Sequence, residues 1–169
     1  VNNTNSVIVG AIRKEYLNNK MKIYNSLLLF NAESKTILVH DKAKLVPFGE
    51  FIPLKKLLKL EKLTNGNKDF SKGGNVEPIK IKKGLSFLPL ICYEVIFPNL
   101  VKNNQKYNFI VNITNDGWYG YSFGPFQHLA LARIRAVKEG KTLLRVANTG
   151  ISAVINYNGN TIASLDLNK

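Results

Sequence analysis

A single cysteine, Cys92, lies in Phe87-Leu-Pro-Leu-Ile-Cys-Tyr-Glu-Val-Ile-Phe97, where an apolar run meets an acidic residue. A thiolate there could attack an acyl carbon, given a base to take its proton and a cation or N–H groups to hold the oxyanion. The same thiol also reads as a core filler, because free cysteines are among the most buried side chains. His40 and His128 are the only histidines, one before a loop on an edge strand and the other one turn into a helix. Satisfied imidazoles fit both places better than general bases do, which disfavours a Cys-His-Asp arrangement. One cysteine and two scattered histidines give no zinc-ligand spacing, so neither a metal nor another cofactor is expected. Lysine and glutamate remain. The segment Asp41-Lys-Ala-Lys-Leu-Val-Pro-Phe-Gly-Glu50 puts Lys42 at a strand end, followed by a rigid Pro/Gly loop and a carboxylate. An inward-turned Lys42 ammonium could serve an oxyanion; a solvated surface amine is the alternative.

These residues need elements to position them. Ser6 to Ile12 reads as a buried strand, and Lys22–Phe30 and Lys35–His40 as a strand pair turning through Asn31. Asp41 to Pro53 reads as a structured loop, Leu54 to Leu63 as an amphipathic helix, and Thr64 to Asn75 as a surface excursion. Val76–Ile81 and Gly84–Cys92 suggest another strand pair, with a short helix from Pro98 to Lys102. Phe109–Ile113 predicts a strand that ends in the glycine-punctuated loop Asn115–Gly120. From Pro125 to Gly140 the spacing predicts a helix with Phe126, Leu129, Ala130, Ile134 and Val137 on its apolar face. Three strands follow, at Thr142–Ala147, Ile151–Ile155 and Thr161–Leu165. Strands with helices interspersed predict an α/β layered fold with a mixed sheet.

Composition narrows the class. With 169 residues and 45% apolar content, the chain has the size and make-up of one globular domain. Its longest apolar stretch, Leu85 to Phe97, is too short and too polar to span a bilayer. The formal charge is +13, yet only Arg13, Arg133, Arg135 and Arg145 among the 24 cations are arginines. A Lys/Asn-biased genome produces such a surface, and no aromatic-interleaved basic motif points to nucleic acid. The opening on Val1 and the uncapped last strand suggest a piece of something longer.

Three segments together resemble the carbon–nitrogen hydrolase (nitrilase-like) superfamily: Asp41-Lys42 with Pro47-Phe-Gly-Glu50, Ile91-Cys-Tyr-Glu94, and Asn112-Ile-Thr-Asn-Asp-Gly-Trp118. The variants Leu45-Val-Pro-Phe-Gly-Glu-Phe-Ile-Pro53, Gly124-Pro-Phe-Gln-His128, Ala132-Arg-Ile-Arg-Ala136, Leu144-Arg145 and Asn148-Thr-Gly150 resemble the apolipoprotein N-acyltransferases within it. The resemblance implies a nitrilase-like α-β-β-α sandwich, incomplete at both ends, with residues 1–169 forming part of one such domain. It implies an acyltransferase that moves an acyl chain from a phospholipid to the N-terminal amine of a diacylglyceryl-cysteine lipoprotein through a thioester. Cys92 is then the nucleophile, Lys42 and the Tyr93 backbone N–H the oxyanion donors, and Glu50 and Glu94 supporting carboxylates. Trp118 and Tyr119 would line the substrate entrance, while Arg133, Arg135 and Arg145 tie helix and sheet to nearby loops. The implied place is a bacterial inner membrane, with the catalytic domain facing the periplasm and Lys55, Lys56, Lys59 and Lys62 facing anionic lipid. The family's general-base glutamate and membrane helices match nothing in this chain; Glu15 lacks the family's surrounding motif and is not assigned. A soluble amidase or nitrilase, and a non-catalytic interaction module, are the competing expectations.

Overall fold

The computed structural model describes residues 6–33, 35–53, 69–82, 84–101 and 105–168. The expected Leu54–Leu63 helix and its four lysines lie outside the described residues. Contacts divide the chain into two compact units, Val1–Gly74 and Asn75–Lys169.

The first unit is a three-stranded antiparallel sheet in the order β1 (Val7–Leu17), β2 (Lys20–Phe30), β3 (Thr36–Asp41). Asn18 and Asn19, with φ of 49° and 59°, form the two-residue turn between β1 and β2. Positive φ at both central residues matches the right-handed strand twist, and asparagine tolerates it better than most residues. The first strand therefore runs five residues beyond the expected Ile12. Nor is it buried: Val7, Val9 and Ile12 are exposed, because β1 pairs on one side only and occupies the sheet edge. The β2–β3 turn falls at Asn31 as expected, its side-chain Oδ1 accepting from the backbone N–H of Glu33 and Lys35.

The second unit is a six-stranded mixed sheet in sequential order: β4 (Ile79–Lys82), β5 (Leu85–Ile91), β6 (Phe109–Asn115), β7 (Thr142–Asn148), β8 (Ser152–Ile155) and β9 (Thr161–Leu165). Only β5/β6 and β6/β7 are parallel. A parallel pair needs a crossover, and α1 (Gly124–Glu139) supplies the second one. Pro125 sits in its first turn, and Gly140 ends it in the left-handed region at φ 59°. Phe87, Leu88, Leu90, Ile110, Leu143 and Ile155 are fully buried and form the core of this sheet. Each such side chain contributes about 1.5–3 kcal/mol by leaving water.

The helix buries a different face from the expected one. Pro125, His128, Ala132, Arg135 and Ala136 are buried, whereas Phe126, Ile134 and Val137 are more than half exposed. The reason is polar: His128 meets Asp116, and Arg135 donates to the Phe97 carbonyl at 2.6 Å and pairs with Glu139 at 3.1 Å. These contacts offset part of the penalty that an apolar-periodicity reading assigns to polar side chains on a buried face. Among the described residues, no helix is long and apolar enough to cross a membrane.

Candidate active site

In an open sheet, the carboxyl ends of parallel strands are the usual place for chemistry. Cys92 directly follows β5, Asp116 to Tyr119 follow β6, and Asn148 ends β7. Cys92 is half-buried and has φ 53°, the left-handed region that a residue with a Cβ enters at about 1–3 kcal/mol. It opens a 3-10 turn, Cys92–Ile96, where the sequence pattern suggested only a strand end. A sharp strand-to-helix turn of this kind lifts a nucleophile out of the sheet. Glu94 is fully buried and accepts from the Ile91 backbone N–H at 2.8 Å, so it caps the turn that carries the thiol. The Tyr93 ring packs against Phe97 and His128, with centroids 6.1 and 5.9 Å away.

Trp118 and Tyr119 lie on a second 3-10 turn, Asp116–Tyr119. Trp118 is 56% exposed, whereas the Tyr119 ring stands edge-on to His128 at 5.8 Å. Burial, then the charges of Cys92, Asp116 and Tyr93, push the Tyr119 phenol up to about 12, so it keeps its proton at neutral pH.

Behind these turns lies a buried polar network that the sequence reading did not assemble. The Arg145 guanidinium donates to Asn112 Oδ1 at 2.6 Å, Asp116 Oδ2 at 2.7 Å and the Ile151 carbonyl at 3.2 Å. Asp116 Oδ1 lies 2.9 Å from His128 Nδ1 and accepts from Thr114 Oγ1 at 3.2 Å. A carboxylate only accepts, so Nδ1 carries the imidazole proton. Burial pushes the Asp116 carboxyl up, but the His128 hydrogen bond and the Arg145 charge outweigh it and hold the group below its ordinary value. Arg133 donates to the Gly159 carbonyl at 2.7 Å, so all three arginines tie the helix or sheet to loops, as expected. The available signal was the polar run Asn112-Ile-Thr-Asn-Asp at a strand end; its partners, Arg145 and His128, lie far along the chain.

Within the first unit, Lys42 and Glu50 come together. Lys42 follows β3, its backbone fixed by Lys42 N–H to Asn25 O and Gly73 N–H to Lys42 O, each 2.8 Å. Its Nζ donates to both Glu50 oxygens, at 2.9 and 2.8 Å. The loop returns Glu50 to the lysine through a tight bend with Phe48 at φ 62°, closed by Phe48 N–H to Phe51 O at 2.7 Å. Glu50 also accepts from Val46 N–H at 2.8 Å and Asn25 Nδ2 at 3.2 Å. Lys42 is thus a buried, oriented cation rather than a solvated amine. Beside it, Asp41 takes Arg13 at 2.6 Å and Ser26 Oγ at 2.5 Å.

The carbon-nitrogen hydrolase family model matches residues 1–169. The apolipoprotein N-acyltransferase of Rickettsia typhi is 43% identical over 173 residues, which cover 100% of this chain and 35% of the relative. That of Bradyrhizobium diazoefficiens is 45% identical over 168 residues, covering 95% and 31%. The chain thus spans about a third of the length of the curated relatives it matches. Among solved structures, an amidase from Nesterenkonia sp. superposes with a TM-score of 0.63 at 17% identity, over 96% of this chain and 57% of that one. A variant of that amidase, with a TM-score of 0.61 and 18% identity, shows the acetamide moiety of fluoroacetamide added covalently at its active-site cysteine. The likeness in structure supports the nitrilase-like α/β fold class, and the match in sequence along the whole chain goes further: this chain belongs to the carbon-nitrogen hydrolase family.

Proposed function

We propose that this chain is the nucleophile-bearing part of an enzyme that moves an acyl chain from a phospholipid to the N-terminal amine of a diacylglyceryl-cysteine lipoprotein. The likeness to relatives that bear the apolipoprotein N-acyltransferase name, continuous through Lys42, Glu50 and Cys92, carries this reading. The Cys92 thiolate attacks the ester carbonyl carbon, forming a C–S bond and a tetrahedral oxyanion. The Lys42 ammonium and the Tyr93 backbone N–H stabilise that charge. Collapse breaks the C–O bond, and the lysophospholipid leaves with a proton on its oxygen. The lipoprotein amine then attacks the thioester and gives up a proton to the same base that served Cys92, the C–S bond breaks, and an amide forms while the thiolate is regenerated. Glu50 orients Lys42, and Glu94 holds the Cys92 turn. Trp118 and Tyr119 border the acyl entrance. The base that takes the Cys92 proton is assigned to a glutamate outside this chain, a step worth about 10²–10⁴-fold.

The site of action in this reading is the inner membrane, with the catalytic domain facing the periplasm. The formal charge of +13, to which Lys55, Lys56, Lys59 and Lys62 contribute, supports attraction to anionic lipid of about 1 kcal/mol per well-placed cation. The test uses the intact protein with an acyl-labelled phospholipid and a diacylglyceryl-cysteine peptide. N-acylated peptide is expected, lost on Cys92→Ala and on Lys42→Ala. Ammonia release from small amides without acyl transfer would favour an amidase; full activity in Cys92→Ala would overturn the assignment of the nucleophile.

A further inference from the structure

The left-handed backbone at Cys92 must be held against its own tendency to relax, and the neighbouring strand supplies a restraint. Leu90, Asn112 and Arg145 lie in one register row across β5, β6 and β7. From this row the Asn112 amide reaches the bend: its Nδ2 donates to the Leu90 carbonyl at 3.1 Å and to the Cys92 carbonyl at 3.2 Å. One NH₂ group thus bridges the last part of the strand and the nucleophile itself. A side-chain amide can rotate by half a turn, and a flipped Asn112 would present its own oxygen to both carbonyls. Arg145 prevents that. Its Nη1 donates to Asn112 Oδ1 at 2.6 Å, and a guanidinium has no acceptor with which to receive the flipped NH₂. Arg145 is itself fixed through Nη2 to Asp116 at 2.7 Å and Nε to Ile151 O. Asn112, Asp116 and Arg145 are all at least nine-tenths buried, so water does not substitute for these bonds.

We propose that Asn112 and Arg145 are positioning residues for Cys92, with Arg145 fixing the Asn112 amide so that its NH₂ clamps the Cys92 carbonyl and keeps the thiol aimed at the acyl carbon. The proposal rests on the assignment of Cys92 as the acyl-accepting nucleophile.

The decisive variant is Asn112→Asp. It keeps the Arg145 contact as an ion pair, but it turns an acceptor toward the Cys92 carbonyl. Two readouts are needed in the intact protein: the rate of Cys92 alkylation by iodoacetamide, and kcat and KM for acyl transfer. A misplaced nucleophile loses on the order of 10- to 100-fold in rate. The expectation is therefore slower alkylation and a kcat at least tenfold lower, with the phospholipid KM within twofold. Arg145→Lys keeps a charge near Asp116 but loses the fork, and should show the same split more weakly. If either variant folds and keeps wild-type rates in both readouts, the clamp is refuted; Arg145→Lys carries the test if Asn112→Asp does not fold. Slower alkylation in the variants, beside a wild-type Cys92 that never accepts an acyl group, would retain the clamp and discard the acyl-transfer reading. Normal transfer by Asn112→Asp would do the reverse.

Discussion

The Lys42–Glu50 pair should respond unequally to loss of its two members. The Lys42 side chain is 1% exposed and that of Glu50 is 12% exposed, with Nζ held by both carboxylate oxygens. Glu50→Gln preserves shape but leaves a buried ammonium facing one amide oxygen. Removing one member of a buried pair in this way costs about 3–5 kcal/mol, and the retained amide oxygen places this case near the lower end. Lys42→Met removes the more deeply buried charge. The Glu50 carboxylate keeps Val46 N–H and Asn25 Nδ2 and has some access to water, so the loss should be about 1–2 kcal/mol. The double variant should lie close to Lys42→Met alone, because the glutamate matters mainly when the ammonium is present. Urea unfolding followed by far-UV circular dichroism near pH 7 measures all three, provided m is unchanged. A Lys42→Met loss equal to or larger than that of Glu50→Gln would refute the view that the lysine is the member needing compensation.

Two further outcomes follow from the buried groups. A Cβ on Gly150 would collide with the Asp116 carboxylate, so Gly150→Ala should destabilise the protein by about 1–3 kcal/mol; an unchanged urea midpoint would contradict the placement. Burial lowers the His40 pKa against an opposing pull from Asp41, and its Nε2 has no hydrogen-bond partner among the described residues. Its folded value is below its unfolded one, so the stability it contributes is complete above about pH 6.5 and is lost as pH falls through the folded value. The depressed Asp116 carboxyl acts in the same direction at lower pH, below about 4. The melting temperature should fall on acidification from pH 7 to 5, and the fall should be smaller in His40→Gln; equal slopes would rule out His40 as the cause.

Much of this architecture was legible because local chemistry and tertiary structure agree. The strands after Thr142 and the α1 bounds at Pro125 and Gly140 follow from apolar runs and from turn and cap residues acting within a few positions. Agreement failed where a distant partner decided the outcome. The buried face of α1 carries His128 and Arg135, and nothing within the helix announces Asp116 or the Phe97 carbonyl. Leu143 and Arg145 share the buried face of β7, a placement that alternation allows only if Asn112 and Asp116 stand opposite. The 3-10 turn at Cys92 was also hidden: Tyr93, Val95 and Ile96 favour strands, and no glycine marks the left-handed residue. In the candidate site, Lys42 and Glu50 stand eight positions apart across a Pro/Gly loop that local turn chemistry can close, whereas Asn112, Asp116 and His128 received no role from the sequence.

The most direct test of the central claim is mass spectrometry of the intact protein after incubation with a phospholipid of defined acyl chain and no amine acceptor. The prediction is a covalent adduct of the acyl mass on Cys92, released by hydroxylamine as a thioester should be and absent in Cys92→Ala. An acyl adduct that persists in Cys92→Ala, or a wild-type protein that transfers acyl groups without ever carrying one on Cys92, would contradict it.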